Sequence, residues 1–170
     1  MIKAIRDFFE RRRMRKVFGK YVTPSVVDDL LNGKLESPQV GQFDEKPLGV
    51  VLVLVGYSGD VAKNMERVSD LASEHHAGYE TMTNGLMIFC YGRFPAEQNI
   101  QEQRQAFVEA LRLKLGKAIK IVHGTGSGKV GLVGSKSFLT IYTFIMPKFG
   151  EALSLLTSLN EGEVREFVFS

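Results

Sequence analysis

The chain has 170 residues, 44% hydrophobic and 24% charged, enough for one domain with its own core and unlike a disordered or fibrous composition. Its net charge of +3 is local: residues 1–20 carry eight Lys/Arg against two acids, a net of +6, so the remainder is net acidic and gives no sign of nucleic-acid binding. The single cysteine, Cys90, excludes an internal disulfide and fits a reducing cytoplasm. It lies in the apolar run Leu86-Met87-Ile88-Phe89-Cys90 and reads as a buried thiol. No apolar run reaches the roughly 18 residues of a membrane span, and the N-terminus lacks the apolar stretch and small-residue cleavage site of a secretory leader.

In chain order, residues 2–20 predict a helix, with Ile2, Ile5, Phe8 and Phe9 on one face and a basic cluster from Arg11 to Lys16. Such a helix either packs or dimerises on its way into a domain, or makes peripheral contact with an anionic membrane surface. Thr23-Pro24-Ser25 has the form of a helix start and Asn32-Gly33 of its stop. Residues 34–47 read as an irregular connection. Residues 48–57 predict a buried strand, and residues 60–76 a helix with Val61, Met65, Val68, Leu71 and Ala72 inward. Residues 78–83 and 85–91 predict a strand pair turning at Thr83-Asn84-Gly85, because Asn-Gly is a strong hairpin signal. A helix over 96–115 turns Ile100, Phe107, Val108, Leu111 and Leu115 inward. Strands follow at 119–122, 129–133 and 138–145, then a helix at 147–159 and a final strand at 164–169. The order predicts a ferredoxin-like βαββαβ α/β sandwich with helices on one sheet face. It divides the chain into residues 1–46, an N-terminal helical extension with its connecting loop, and residues 47–170, the α/β domain.

Two patterns lead away from chemistry. Gly124-Thr125-Gly126-Ser127-Gly128-Lys129 has the look of a phosphate loop, but His123 stands where the first Gly belongs, Val130 replaces Ser/Thr, and a strand follows instead of a helix. His75 and His76 are adjacent, so on a helix their side chains diverge and do not form a metal pair.

The strand Val50-Val51-Leu52-Val53-Leu54-Val55 with Gly56-Tyr57-Ser58-Gly59, the lead-in from Arg15 to Val27, the hairpin from Tyr79 to Met87, the glycine-spaced run from Gly126 to Ser135, and Tyr142-Thr143-Phe144-Ile145 with the helix after it come in a telling order. Together they resemble the catalytic domain of class III adenylate/guanylate cyclases, with the lead-in similar to that of many bacterial ones. In that family two Asp residues hold two metals that activate the ribose hydroxyl and neutralise the triphosphate. The resemblance sets Gly56 and Asn84 at those positions: one has no side chain, the other only a neutral carbonyl and a ready turn conformation. It sets Gly150 and Ser154 where the family's ribose-orienting Asn and phosphate-stabilising Arg stand. Family active sites are shared across a dimer, one protomer giving metal ligands and the other Asn, Arg and Lys. A chain lacking both sets completes neither half-site. Glu80 stands at the purine-selecting position, where a carboxylate accepts hydrogen bonds from guanine, and Thr143 at the second base-contact position. Glu80 also suits an exposed strand residue, and Thr143 a strand former.

The resemblance therefore implies a catalytically inactive cyclase-like domain, a pseudoenzyme with no metal and no cofactor. It would act in the cytoplasm as a protein-association and regulatory scaffold, as a homodimer or as a heterodimer with a related domain. The alternative is a nucleotide-sensing module that binds a purine through Glu80 and Thr143 without turnover. Residual cyclase activity would need other metal ligands, for which Asp44 and Asp60 are the nearby acids.

Overall fold

Every residue from Leu48 to Val53 is buried, which a strand achieves only when both of its faces are covered. A computed structural model describes residues 41–56, 59–93, 99–134 and 140–169 of the chain. Readings that concern residues 1–40, including both N-terminal helices and the basic cluster, lie outside the described residues. The elements are β1 (Phe43–Val55), α1 (Val61–Glu74), β2 (Gly78–Thr83), β3 (Leu86–Tyr91), α2 (Ile100–Leu115), a single 3-10 turn (Gly116–Ala118), β4 (Ile119–Gly134), β5 (Thr140–Ile145), α3 (Phe149–Ser158) and β6 (Val164–Glu166). The sheet order is β2-β3-β1-β4-β5, with β6 parallel to β4. Its first four strands follow the ferredoxin-like plan.

Alternation along β1 sorts two cores. Val51, Val53 and Val55 face α1 and α2, where they meet Val68, Leu71, Phe107 and Leu111. Leu48, Val50 and Leu52 face the other side, with Ala152 and Leu156 of α3 and with Phe169. The expectation of helices on one face is thus corrected: α3 covers the second face, because β1 is apolar at successive positions and leaves no side fit for water. Each fully buried Val or Leu is worth about 1.5–3 kcal/mol relative to exposure. Phe89 of β3 and Phe107 of α2 lock the first core edge to face, 5.2 Å apart at 82°.

Three further expectations change. The connection ends sooner than expected: Phe43 to Pro47 extend β1, paired with Gly131 to Ser127 of β4. Pro47 lies where β1 has only one neighbour, since pairing with β3 begins at Gly49, so a proline is tolerated there. The strands expected at 119–122 and 129–133 are one strand, β4, and the glycine run lies inside it, which also removes the loop a phosphate site would need. A Cβ on Gly124 would collide with the Phe167 carbonyl oxygen, and one on Gly126 with that of Phe169, so these glycines give the C-terminal segment its close approach. That segment hydrogen-bonds β4 from Phe167 N to His123 O at 2.8 Å. The final strand is shorter than expected, with Phe169 making an isolated bridge to Gly126.

The hairpin and the α1 start follow the sequence reading. Asn84 and Gly85 both have positive φ, 48° and 79°, as a two-residue turn between twisted strands requires. Asp60 caps α1, its side chain accepting from Lys63 N at 3.0 Å. Among the described residues no helix is long and apolar enough to cross a membrane.

Candidate functional site

The end of β1 and the tip of the β2–β3 hairpin are brought together. Val55 N donates to Gly85 O at 2.9 Å, and Gly56 N donates to Ala118 O at 2.8 Å. Gly56 and Asn84 therefore stand beside each other, as the resemblance implies for two metal-binding positions. The donor set does not fit a pair of divalent cations. Hard cations take anionic oxygens, and these residues supply one neutral side-chain carbonyl between them. Asn84 is exposed on the turn. Among the described residues, no group of three or more His, Cys, Asp or Glu is arranged to hold a metal ion. Asp44 and Asp60 do not converge: Asp44 lies near the start of β1, opposite Val130, and Asp60 beyond its end.

Gly150 and Ser154 fall on the exposed side of α3, one turn apart. The Ser154 hydroxyl donates back to Gly150 O at 2.9 Å, and nothing lies within 4 Å of where a Gly150 Cβ would be. This helix face offers no charge to a phosphate and no amide to a ribose.

Glu80 and Thr143 do converge. The Thr143 hydroxyl donates to Glu80 Oε1, and Arg93 Nη1 donates to Glu80 Oε2 at 2.6 Å. Arg93 Nη2 also donates to Tyr79 O at 2.8 Å, and Lys46 Nζ donates to Arg93 O at 3.4 Å. The Arg93 side chain is wholly buried and that of Glu80 is 15% exposed. The reading of Glu80 as an exposed strand residue is thus corrected: it sits at an irregularity of the β2–β3 register, between Tyr79 and Thr81, and turns into a polar cluster. Burial pushes its carboxyl above the usual range, opposed by the Arg93 charge and the Thr143 hydrogen bond. Gly78 makes room, since a Cβ there would lie 2.8 Å from Arg93 Nη2. Arg93 was not foreseen. It follows a buried strand directly after Gly92, and no periodic signal marks it.

The contact between Glu80 and Thr143 also describes the sheet. Their strands are the two ends of the β2-β3-β1-β4-β5 order. Four inter-strand steps of about 4.8 Å would hold them about 19 Å apart in a flat sheet. The sheet therefore curls until its edges meet at this cluster, and that curl places the two sequence-predicted base contacts side by side.

A second buried polar network was also missed. Arg104 of α2, wholly buried, donates from Nη1 to His123 Nδ1 at 2.7 Å and from Nη2 to Glu166 Oε1 at 2.9 Å. A guanidinium only donates, so His123 accepts at Nδ1 and, when neutral, carries its proton on Nε2. Burial first, and then the Arg104 charge, hold the His123 pKa down to about 4, partly offset by Glu166. The sequence did contain a signal: Arg104 falls in the apolar stripe with Ile100, Phe107, Val108 and Leu111, and His123 alternates with Ile119 and Ile121. A charged residue on such a face requires a buried partner.

No protein-family model and no curated protein matches the chain. Solved structures do. The guanylyl cyclase Cya2 superposes with a TM-score of 0.61 at 15% identity, over 72% of this chain and 75% of that one. The adenylyl cyclase CyaB from P. aeruginosa gives 0.55 at 16%, over 74% and 78%. The dimeric guanylyl cyclase domain of the RhoGC fusion protein from the aquatic fungus Blastocladiella emersonii gives 0.57 at 11%, over 72% and 80%. At these identities the likeness is one of fold. With the paired hairpin tip and β1 end, and with Glu80 and Thr143 meeting across a curled sheet, the described residues have the fold of class III adenylyl/guanylyl cyclase catalytic domains.

Proposed function

We propose that this chain is a cyclase-fold domain without cyclase chemistry, acting by association with a second domain of the same kind. The observation that carries the first half is the state of Glu80. Both of its carboxylate oxygens are engaged inside the protein, one by Arg93 and one by Thr143, so a guanine edge would have to compete with internal donors for them. The donor set at Gly56 and Asn84 and the uncharged α3 face at Gly150 and Ser154 support the same reading. For association, the support is an apolar exposure on the β4–β5 pair. Val133 and Ile145, 46% and 56% exposed, lie on one face of that pair by its register. The RhoGC guanylyl cyclase domain, of like fold, has been solved both as a dimer and as a monomer, which fits a domain whose pairing is adjustable. The basic charge of residues 1–20 suits a contact with either a partner domain or an anionic membrane. Liposome pelleting with and without them separates the two.

The experiment is calorimetric titration of the full chain with GTP, with and without Mn²⁺, beside a cyclase assay on ATP and GTP and a light-scattering mass. The expected outcome is no heat up to millimolar GTP, no cyclic product, and a mass that rises towards a dimer with concentration. Saturable heat weakened by Glu80→Ala would instead make the domain a nucleotide sensor, the reading favoured by the convergence of Glu80 with Thr143. Turnover would overturn both.

A further inference from the structure

Arg93 has no role in the resemblance to cyclases, yet it is the side chain that decides what Glu80 can do. Its guanidinium carries parallel N–H donors on a plane, the same arrangement that the N1–H and N2–H edge of guanine presents to a carboxylate. It reaches Glu80 at 2.6 Å and the carbonyl of Tyr79 at 2.8 Å. It is wholly buried, and its path is cleared by Gly78. We propose that Arg93 is an internal occupant of the base-recognition position, a residue of the chain that fills the hydrogen-bonding edge a guanine would otherwise take. This rests on the reading of Glu80 as the former purine-selecting residue, and it adds the cause of closure: the recognition carboxylate is retained and plugged, not lost.

The inference separates Arg93 from Thr143. Thr143 satisfies the oxygen of Glu80 that Arg93 leaves, and in doing so ties β5 to β2. Arg93 takes the Oε2 side of the edge and closes it off towards Tyr79. Replacing Arg93 with a side chain that cannot span Glu80 and Tyr79 together should reopen the edge. Replacing Thr143 leaves the plug in place.

The test is saturation-transfer difference NMR on the full chain with guanosine and adenosine, without metal, for wild type, Arg93→Gln and Arg93→Lys. Arg93→Lys keeps the positive charge that a half-buried Glu80 needs, so it carries the test if the neutral variant does not fold. Folding of each variant is checked by near-UV circular dichroism. The expected result is silence in wild type and a guanosine signal at least roughly tenfold stronger in the folded variants, the scale of one charge-assisted hydrogen bond. Adenosine should stay silent, and adding Glu80→Gln should remove the gain. A folded Arg93 variant with no more guanosine signal than wild type overturns the plug and leaves the proposed function standing. Saturable guanosine binding by wild type overturns the proposed function itself, because the edge would then be open with Arg93 in place.

Discussion

At the scale of single residues, the buried charges decide how this protein responds to pH. His123 is held neutral, its pKa near 4 against an ordinary value of 6.5, chiefly because charging it would bury a cation beside Arg104. A histidine whose folded pKa is depressed contributes stability above its ordinary value and loses it as pH falls towards the folded one. Stability should therefore drop by on the order of 2–3 kcal/mol between about pH 6.5 and pH 4. Glu166, held low chiefly by its hydrogen bond from Arg104, adds a loss of the same sign at the acid end. Glu80 runs the other way: burial raises its pKa, so the fold favours its protonated form and its contribution is lost as pH rises. Urea titrations across this range check the balance. His123→Gln should flatten the slope, and a flat wild-type curve would show that the ring is not a buried neutral acceptor.

At the scale of elements, two sets of glycines should behave oppositely. Gly124 and Gly126 sit under the carbonyls of Phe167 and Phe169, where no Cβ fits. Alanine at either position should lift the segment after β6 off the sheet, withdraw Phe169 from the core, and cost more than about 3 kcal/mol, the scale of emptying a buried aromatic site. Hydrogen exchange at the Phe167 and Phe169 amides reads the displacement, and unchanged protection would count against this account of the glycine run. Gly150 is exposed within α3 with open space around it, so Gly150→Ala should stabilise by about 0.5–1 kcal/mol through helix propensity alone. A melting temperature separates the two classes. The same contrast explains a misjudged element: a glycine at every second position suggests a loop, yet in β4 it marks a strand approached closely by other backbone.

At the scale of the whole molecule, the cluster of Glu80, Arg93 and Thr143 joins the two ends of the sheet. Thr143→Val should cost about 1 kcal/mol. It should also raise hydrogen exchange in β2 as well as in β5, although the strands stand at opposite ends of the pairing order. A change confined to β5 would mean that the edges hold their curl independently.

Much of this molecule was fixed by local chemistry. The apolar run from Val50 to Val55, the Asn84-Gly85 turn and the stripe Phe107, Val108, Leu111 and Leu115 each depend on neighbours within a few residues, so periodicity and turn propensity are enough to place them. The reading that Gly56 and Asn84 stand where a resembling family has acids likewise comes from the sequence alone. Three features needed the tertiary structure: α3 on the second sheet face, β4 as one continuous strand, and Arg93 as the partner of Glu80. Arg93 and Glu80 are 13 residues apart across a hairpin, and the polar contacts that accompany them span more: 63 residues from Glu80 to Thr143 and 62 from Arg104 to Glu166. A hydrogen bond across such a separation leaves no periodic trace in the chain, because only the curl of the sheet brings its two ends into reach.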